Sequence, residues 1–338
     1  MRAAAIVALP LLVALSAGGV AQAAGWQPRD TARAAARVTH DLVGSAALRR
    51  MRRQLKRRVR VWVAPLRNRS SQHLPTRALD KTLHKSLAAA SQLDLSRGGA
   101  PDLLLLPWFF TMADAEGGRE LSEMFFIVEV VDVARARKVW VSVYRVRELV
   151  TRAKQRDVHG RPRVAVRVRR LSPKAGPYDL SGTFCGYDAV RLARGLARDL
   201  ARKGKALQAL GRVKMMGLRN RTSEHVNTKL LAALFVSELV RRAPIDLDAG
   251  YDARHALRAL GSRGASLPRP RAMAKVLLSG KLLAQISAGK KSTVRTYMLT
   301  MQLVDMNMQK HWVGNKRLRK VVANKAARAG GAAKKDGF

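Results

Sequence analysis

The sequence predicts an α/β protein of two tandem domains, each a small mixed β-sheet flanked by helices. Three observations carry that expectation. The run Leu66-Arg67-Asn68-Arg69-Ser70-Ser71-Gln72-His73 returns as Leu218-Arg219-Asn220-Arg221-Thr222-Ser223-Glu224-His225 at a constant offset of 152, with only Ser to Thr and Gln to Glu exchanged. In both copies a short apolar run precedes this motif and a helical apolar period follows it, giving the order strand, polar loop, helix. The chain is also 338 residues long and 47% hydrophobic, enough for two cores of ordinary domain size.

Residues 1–23 read as a signal peptide. They hold Arg2, an apolar run from Ala3 to Leu15, and Ala21-Gln22-Ala23 in the small-residue pattern that a signal peptidase cuts. The apolar run is shorter than the roughly 18 residues a spanning helix needs, and no later stretch is longer, so the mature chain is expected to have no membrane span.

Copy one, residues 25–150, opens on a helical period (Ala35, Val38, Leu42, Ala46, Met51) from Thr31 to about Leu55. That helix runs into a basic patch of Arg49, Arg50, Arg52, Arg53, Lys56, Arg57 and Arg58, with Arg60 beyond it. Such a patch is either a solvated helix face or a contact surface for phosphate or carboxylate polymers. Val59, Val61 and Val63 predict a strand, and Thr76 can cap a helix whose apolar stripe is Leu79, Leu83 and Leu87. Gly98-Gly99-Ala100-Pro101 turns the chain into Leu103 to Phe110, a continuous apolar run of the kind a fully buried strand shows. Residues 121–133 and 139–150 alternate as two antiparallel strands. Residues 151–183 join the copies, and Arg163, Arg167 and Arg169 alternating with Val164, Val166 and Val168 predict an extra edge strand there.

Copy two, residues 184–322, repeats the order. A basic amphipathic helix spans Tyr187 to Leu207, and a strand follows at Val213, Met215 and Met216. After the motif, Asn227-Thr228 can cap a helix carrying Leu230, Leu231, Leu234, Val236 and Leu239. A short helix from Asp252 to Leu260 precedes strands over 276–286, 296–304 and 312–322. Asp132 matches Asp305 at an offset of 173 against the earlier 152, so copy two carries 21 extra residues between Leu247 and Lys275. Copy one is the degenerate member, with Pro107 where copy two has Gly280, and its Trp108, Phe109, Phe110, Phe125 and Phe126 predict burial against copy two. Met298, Met301, Met306 and Met308 read as core and sheet filler. Residues 323–338, mostly Ala, Gly and Lys, read as a disordered basic tail.

With 65 Lys and Arg against 23 Asp and Glu, the net charge is +42, a surface that attracts polyanions and governs encounter rates more than fold. Cys185 is the sole cysteine, which rules out an intrachain disulfide; a small buried thiol beside Phe184 is the plainer reading, and an intermolecular disulfide the other. The seven histidines are scattered, and no spacing matches a metal site, a nucleophile elbow or a phosphate-binding glycine loop. Glu224-His225 could be offered as an acid/base pair, but copy one has Gln72 at that position. The expectation is therefore a protein that is no enzyme, with no catalytic residue, metal, cofactor or small-molecule substrate.

The run from Arg219 to Thr228, followed by Leu278-Ser279-Gly280-Lys281, Leu303-Val304-Asp305 and Trp312, resembles the periplasmic domain of the LpoB-type activators of penicillin-binding proteins. That family is related in fold to the curli-secretion lipoproteins, and the likeness covers most of the second half and part of the first. The resemblance implies a periplasmic accessory protein that binds a bifunctional penicillin-binding protein, with the contact at Arg219, Asn220, Arg221, Thr222, Ser223, Glu224, His225 and Asn227. Read from the residues alone, the polar members of that set serve equally to satisfy the turn between strand and helix. Family members carry a lipidated cysteine at the new N-terminus. Here Gly18 follows Leu15-Ser16-Ala17, so the mature chain is expected to be soluble in the periplasm or exported, starting at Ala24. The rival expectation is a basic envelope protein that binds a polyanion: lipopolysaccharide, an anionic wall polymer or nucleic acid.

Overall fold

The computed structural model describes residues 25–70, 74, 76–95, 100–156, 162–172, 180–243, 245–261, 274–289 and 292–323. The predicted signal peptide, Ser71, Gln72 and His73 of the first motif, and the predicted tail beyond 323 lie outside these residues.

Copy one begins with α1 (Pro28–Val43) and α2 (Ala46–Leu55). The sequence predicts one helix here. Gly44 ends the first and the Ser45 hydroxyl caps the second, accepting from Leu48 N at 3.1 Å, so the chain turns between them. There follow β1 (Val59–Val63), β2 (Arg67–Asn68), α3 (Thr76–Ala88), β3 (Leu93–Asp94), β4 (Leu103–Glu116), β5 (Arg119–Asp132), β6 (Arg137–Arg156) and β7 (Pro162–Arg170). Copy two comprises α4 (Gly186–Ala201), α5 (Gly204–Ala209), β8 (Arg212–Arg221), α6 (Thr228–Arg242), β9 (Asp246–Asp248), α7 (Gly250–Gly261), β10 (Val276–Ala288), β11 (Ser292–Asp305) and β12 (Lys310–Ala323). The strand predicted between the copies is β7, and it lies on the edge of β6, with Leu149 opposite Arg169.

The sequence predicts two separate small sheets; the structure has one mixed sheet of 12 strands. Its order is β12-β11-β10-β8-β9-β6-β5-β4-β1-β3, the second copy's five strands followed by the first copy's equivalent five. The join is β9, which pairs in parallel with β8 (Val213 opposite Leu247) and antiparallel with β6 (Lys138 opposite Leu247).

The two halves stack in layers. Helices α1 and α3 cover one face of copy one, where Ala34, Val38, Leu83 and Leu87 pack with Val61, Leu105, Phe109 and Phe126. The opposite face, with Leu104, Leu106, Trp108, Phe125 and Ile127, shares a second core with Leu192 and Leu196 of α4, Leu234 and Phe235 of α6, and Leu299 and Met301 of copy two. Helices α4 and α6 thus fill the space between the sheet halves. This is why β4 is buried continuously from Leu103 to Phe110 and why copy one carries so many aromatic residues: both its faces are covered. Gly186 belongs to the same fit, because a Cβ there would strike the Glu123 carboxylate and the Phe125 ring where α4 first touches β5. Copy two has its outer sheet face open.

The single helix expected over Tyr187 to Leu207 is two, α4 and α5, because the chain turns at Arg202 and Lys203. Met301 is core, but Met306 and Met308 are exposed at the turn between β11 and β12, where Met308 takes φ 63°.

Because α6 is buried from both sides, the fragment left after deleting residues 25–150 should expose an apolar helix surface and self-associate. Size-exclusion chromatography with light scattering should show aggregates for that fragment and a discrete species for the full chain. A monodisperse fragment that binds no hydrophobic dye would refute the layered core.

Candidate functional site

The repeated motif sits where β8 ends. Its amide, hydroxyl and carboxylate groups build the loop. Asn220 Oδ1 accepts from Thr222 N at 3.0 Å and from the Thr222 hydroxyl at 2.8 Å, while Asn220 Nδ2 donates to Glu224 O at 2.7 Å. This is a side-chain-closed turn of the kind Asn favours. The Glu224 carboxylate points inward, accepting from Phe184 N at 2.9 Å, the Tyr297 hydroxyl at 2.7 Å and Arg295 at 2.5 Å. Burial, and after it the hydrogen bond to Glu224, push the Tyr297 phenol well above its ordinary range, so it stays a donor. Asn227 caps α6, its Oδ1 accepting from Leu230 N at 3.0 Å. Of the eight residues proposed for partner contact, Asn220, Thr222, Glu224 and Asn227 therefore have structural partners, and Arg219, Arg221, Ser223 and His225 are exposed.

Copy one closes the same turn, with Asn68 Oδ1 accepting from Ser70 N at 2.9 Å and from its hydroxyl at 2.6 Å. Its leading arginine has a different fate. Arg67 forms an ion pair with Asp252 of α7, and the guanidinium groups of Arg67 and Arg69 lie 5.3 and 5.6 Å from the centre of the Trp108 ring. Arg67 of the first motif is thus committed within the molecule.

Beside the second motif lies the open face of copy two. Cross-strand register sets Arg219, Lys281, Thr300 and Asn315 in one row and Arg221, Leu283, Met298 and Arg317 in the next, with Arg319 beyond them. Arg219, Arg221, Lys281, Arg317 and Arg319 are all exposed, none forms an ion pair with a described carboxylate, and no Asp or Glu stands in either row. Met216 and Val313 are exposed beside them. A depression of about 480 Å³ opens here, lined in part by Met216, Arg219, Ser279, Lys281, Thr300 and Gln302. Gly217, at φ 112°, makes the bulge that aligns Arg219 with Lys281, and Gly280 leaves no room for a Cβ between Leu218 and Met301. Sequence reasoning singled out Arg219 and Arg221 but not Lys281, Arg317 or Arg319; strand parity was the signal available.

The basic patch forms a second site. Arg49, Arg52, Arg53, Lys56, Arg57 and Arg58 surround a depression of about 720 Å³ at the end of α2, where Lys56 turns left-handed at φ 53°. Arg57 is committed to Asp102 by two 2.8 Å bonds, and that hydrogen bonding raises its pKa further. Arg50 does not join them; it lies in a separate cleft with Asp132 and Arg135. Among the described residues no group of three or more His, Cys, Asp and Glu is placed to hold a metal ion. Cys185 is buried at the N-cap of α4, its thiol donating to Asp188 at 3.2 Å, and burial pushes the thiol far up. It is a poor nucleophile at neutral pH. No helix among the described residues is long and apolar enough to cross a membrane.

The division of the motif predicts divergent stabilities. Glu224→Ala removes the acceptor of three bonds, from Phe184 N, the Tyr297 hydroxyl and Arg295, and should cost about 2–4 kcal/mol. Arg219→Ala with His225→Ala should stay within about 0.5 kcal/mol of the parent. Urea denaturation of the three proteins tests this, and equal losses would refute the assignment.

No family model and no curated protein matches the chain. Among solved structures, the chain is similar to the LpoB C-terminal domain from Salmonella enterica, at 15% identity over 40% of this chain and 100% of that one, with a TM-score of 0.26. The corresponding domain from Escherichia coli gives 15% identity over 40% and 100%, with a TM-score of 0.27. Lipoprotein GNA1162 from Neisseria meningitidis gives 14% identity over 36% and 93%, with a TM-score of 0.23. At TM-scores of 0.27 and below, these likenesses establish neither the fold nor the function of this chain.

Proposed function

We propose that the chain is a non-enzymatic accessory protein of the cell envelope that binds a penicillin-binding protein through copy two. The observation that carries the proposal is the unequal use of one duplicated motif. Arg67 is consumed by Asp252 and Trp108, while its equivalent Arg219 faces solvent with Arg221, Ser223 and His225 around it. In this reading Asn220, Thr222, Glu224 and Asn227 hold the loop in shape, and the exposed four make the contact. The word penicillin-binding protein comes from the sequence resemblance of the Arg219 to Thr228 run. A second reading, a polyanion bound in the α2 depression, is favoured by the convergence of six cations there.

The parent protein and the Arg219→Ala, His225→Ala variant, immobilised and exposed to envelope extract at low and high salt, discriminate these readings. The expected result is capture of a protein that reacts with fluorescent penicillin, held at high salt and lost in the variant. Recovery of lipopolysaccharide or nucleic acid alone, released by salt, would overturn the first reading and support the second.

We also propose export to the periplasm through cleavage after Ala23, without a lipid anchor. Mass spectrometry of the purified mature protein should give an unmodified chain starting at Ala24. An acylated or precursor-length chain would refute it.

A further inference from the structure

Helix α7, the element copy one lacks, reaches by an ion pair to a site in copy one that occurs a second time with none of the described acidic residues paired to it. In copy one the site is Arg67 with Trp108, adjacent residues across β2 and β4. Asp252 near the start of α7 reaches Arg67, and Ala253 and Ala256 of the same helix are buried in the core cluster that holds Leu106 and Trp108. In copy two the equivalent of Arg67 is Arg219 at the offset of 152, and the equivalent of Trp108 is Lys281 at the offset of 173. The two are adjacent across β8 and β10, as their counterparts are. At this second site lies the 480 Å³ depression, with Arg219 and Lys281 unpaired among the described residues.

The α7 of copy two is paired with Arg67 of copy one, so among the described residues no second α7 is present to pair with Arg219. We propose that a partner protein supplies that element: an amphipathic helix carrying a carboxylate opposite Arg219 and Lys281, laid on the open face of copy two as α7 lies on copy one. This rests on the reading above that copy two binds a protein, and it specifies what part of the partner binds.

Charge and apolar surface select the occupant together. Five exposed cations (Arg219, Arg221, Lys281, Arg317, Arg319) face outward with no carboxylate in their rows, so they complement an acidic ligand. Leu283 and Met298 lie between them, and Met216 and Val313 beside them, offering apolar contact that a phosphate or polysaccharide chain would not use. An amphipathic helix uses both, its apolar stripe on the methionines and its acidic flank on the arginines.

The test uses the full-length protein and defined probes. A fluorescein-labelled peptide of about 16 residues, built from Glu-Ala-Ala-Leu repeats and long enough to hold a helix, is compared with a proline-interrupted twin and with single-stranded DNA. Fluorescence anisotropy should show the helical peptide binding at least about tenfold more tightly than its broken twin. Arg219→Glu with Lys281→Glu should weaken it at least about tenfold, while Arg49→Glu with Arg53→Glu at the α2 depression should leave it unchanged. Unaltered melting of the variants confirms that only the surface has changed. Equal binding of the two peptides, no effect of the Arg219, Lys281 pair, or tighter binding of DNA abolished by that same pair would overturn the proposal. The outcomes separate from those of the capture experiment. Capture of a penicillin-reactive protein that survives Arg219→Glu with Lys281→Glu removes this docking mode and keeps the partner. Helical peptide binding with no such protein captured keeps the mode and removes the partner.

Discussion

Helix α6 is buried without a break from Leu234 to Leu239, and the rest of the molecule is arranged around that fact. Leu230, Leu231, Leu234, Phe235, Val236 and Leu239 are all buried, whereas the equivalent helix α3 buries only the stripe Leu79, Leu83 and Leu87. A stripe is satisfied by one sheet; a helix apolar all round needs a second surface. Each large side chain so buried contributes about 1.5–3 kcal/mol, so the α4 and α6 layer outweighs by far the few ladder bonds that β9 makes to β6. The three-residue strand fixes the register of the join, and the helices supply its strength.

The same layering sorts the charges. Among the described residues nine acids are buried (Asp30, Asp114, Glu123, Glu129, Asp132, Glu148, Asp188, Glu238, Asp248), against Arg147 and Lys320 among the cations. The acids are held by partners that reach in from the rim. Arg170 spans Asp30 and Glu148, and Glu238 collects Arg194, Arg241 and Arg242. Burial opposes ionisation of Glu238, but the hydrogen bond from Arg242 and the charges of Arg241 and Arg194 outweigh it and hold its pKa below the ordinary value. Drawing acids inward leaves an outer surface more cationic than the +42 of the sequence already implies.

Duplication followed by stacking makes the copies unequal. In a staircase of repeats each unit covers its neighbour, and the last unit keeps one face uncovered. Copy one is covered on both faces and has Trp108, Phe110 and Phe125 where copy two has Lys281, Leu283 and Met298 on the corresponding outer face.

By itself the sequence determined the repeating unit of strand, closed turn and helix, the Asn227 cap, the extra edge strand, and the burial of Leu103 to Phe110 on both faces. All of these are written in residues close together in the chain, through side-chain period and capping chemistry. Only the tertiary structure decided that one sheet runs through both copies. Asp246 to Asp248 is too short to show a period, and its two partners lie in different copies. The break at Gly44 and Ser45 shows only in the structure, where α2 buries Leu48 and leaves Ala46 exposed. The cationic face was half legible: Arg219 and Arg221 belong to the motif, while Lys281, Arg317 and Arg319 join them through pairing across four strands. Local patterns record which side of an element is covered. What covers it is settled by contacts between distant parts of the chain, and those set the fate of each motif arginine, one closed by α7 and one left open.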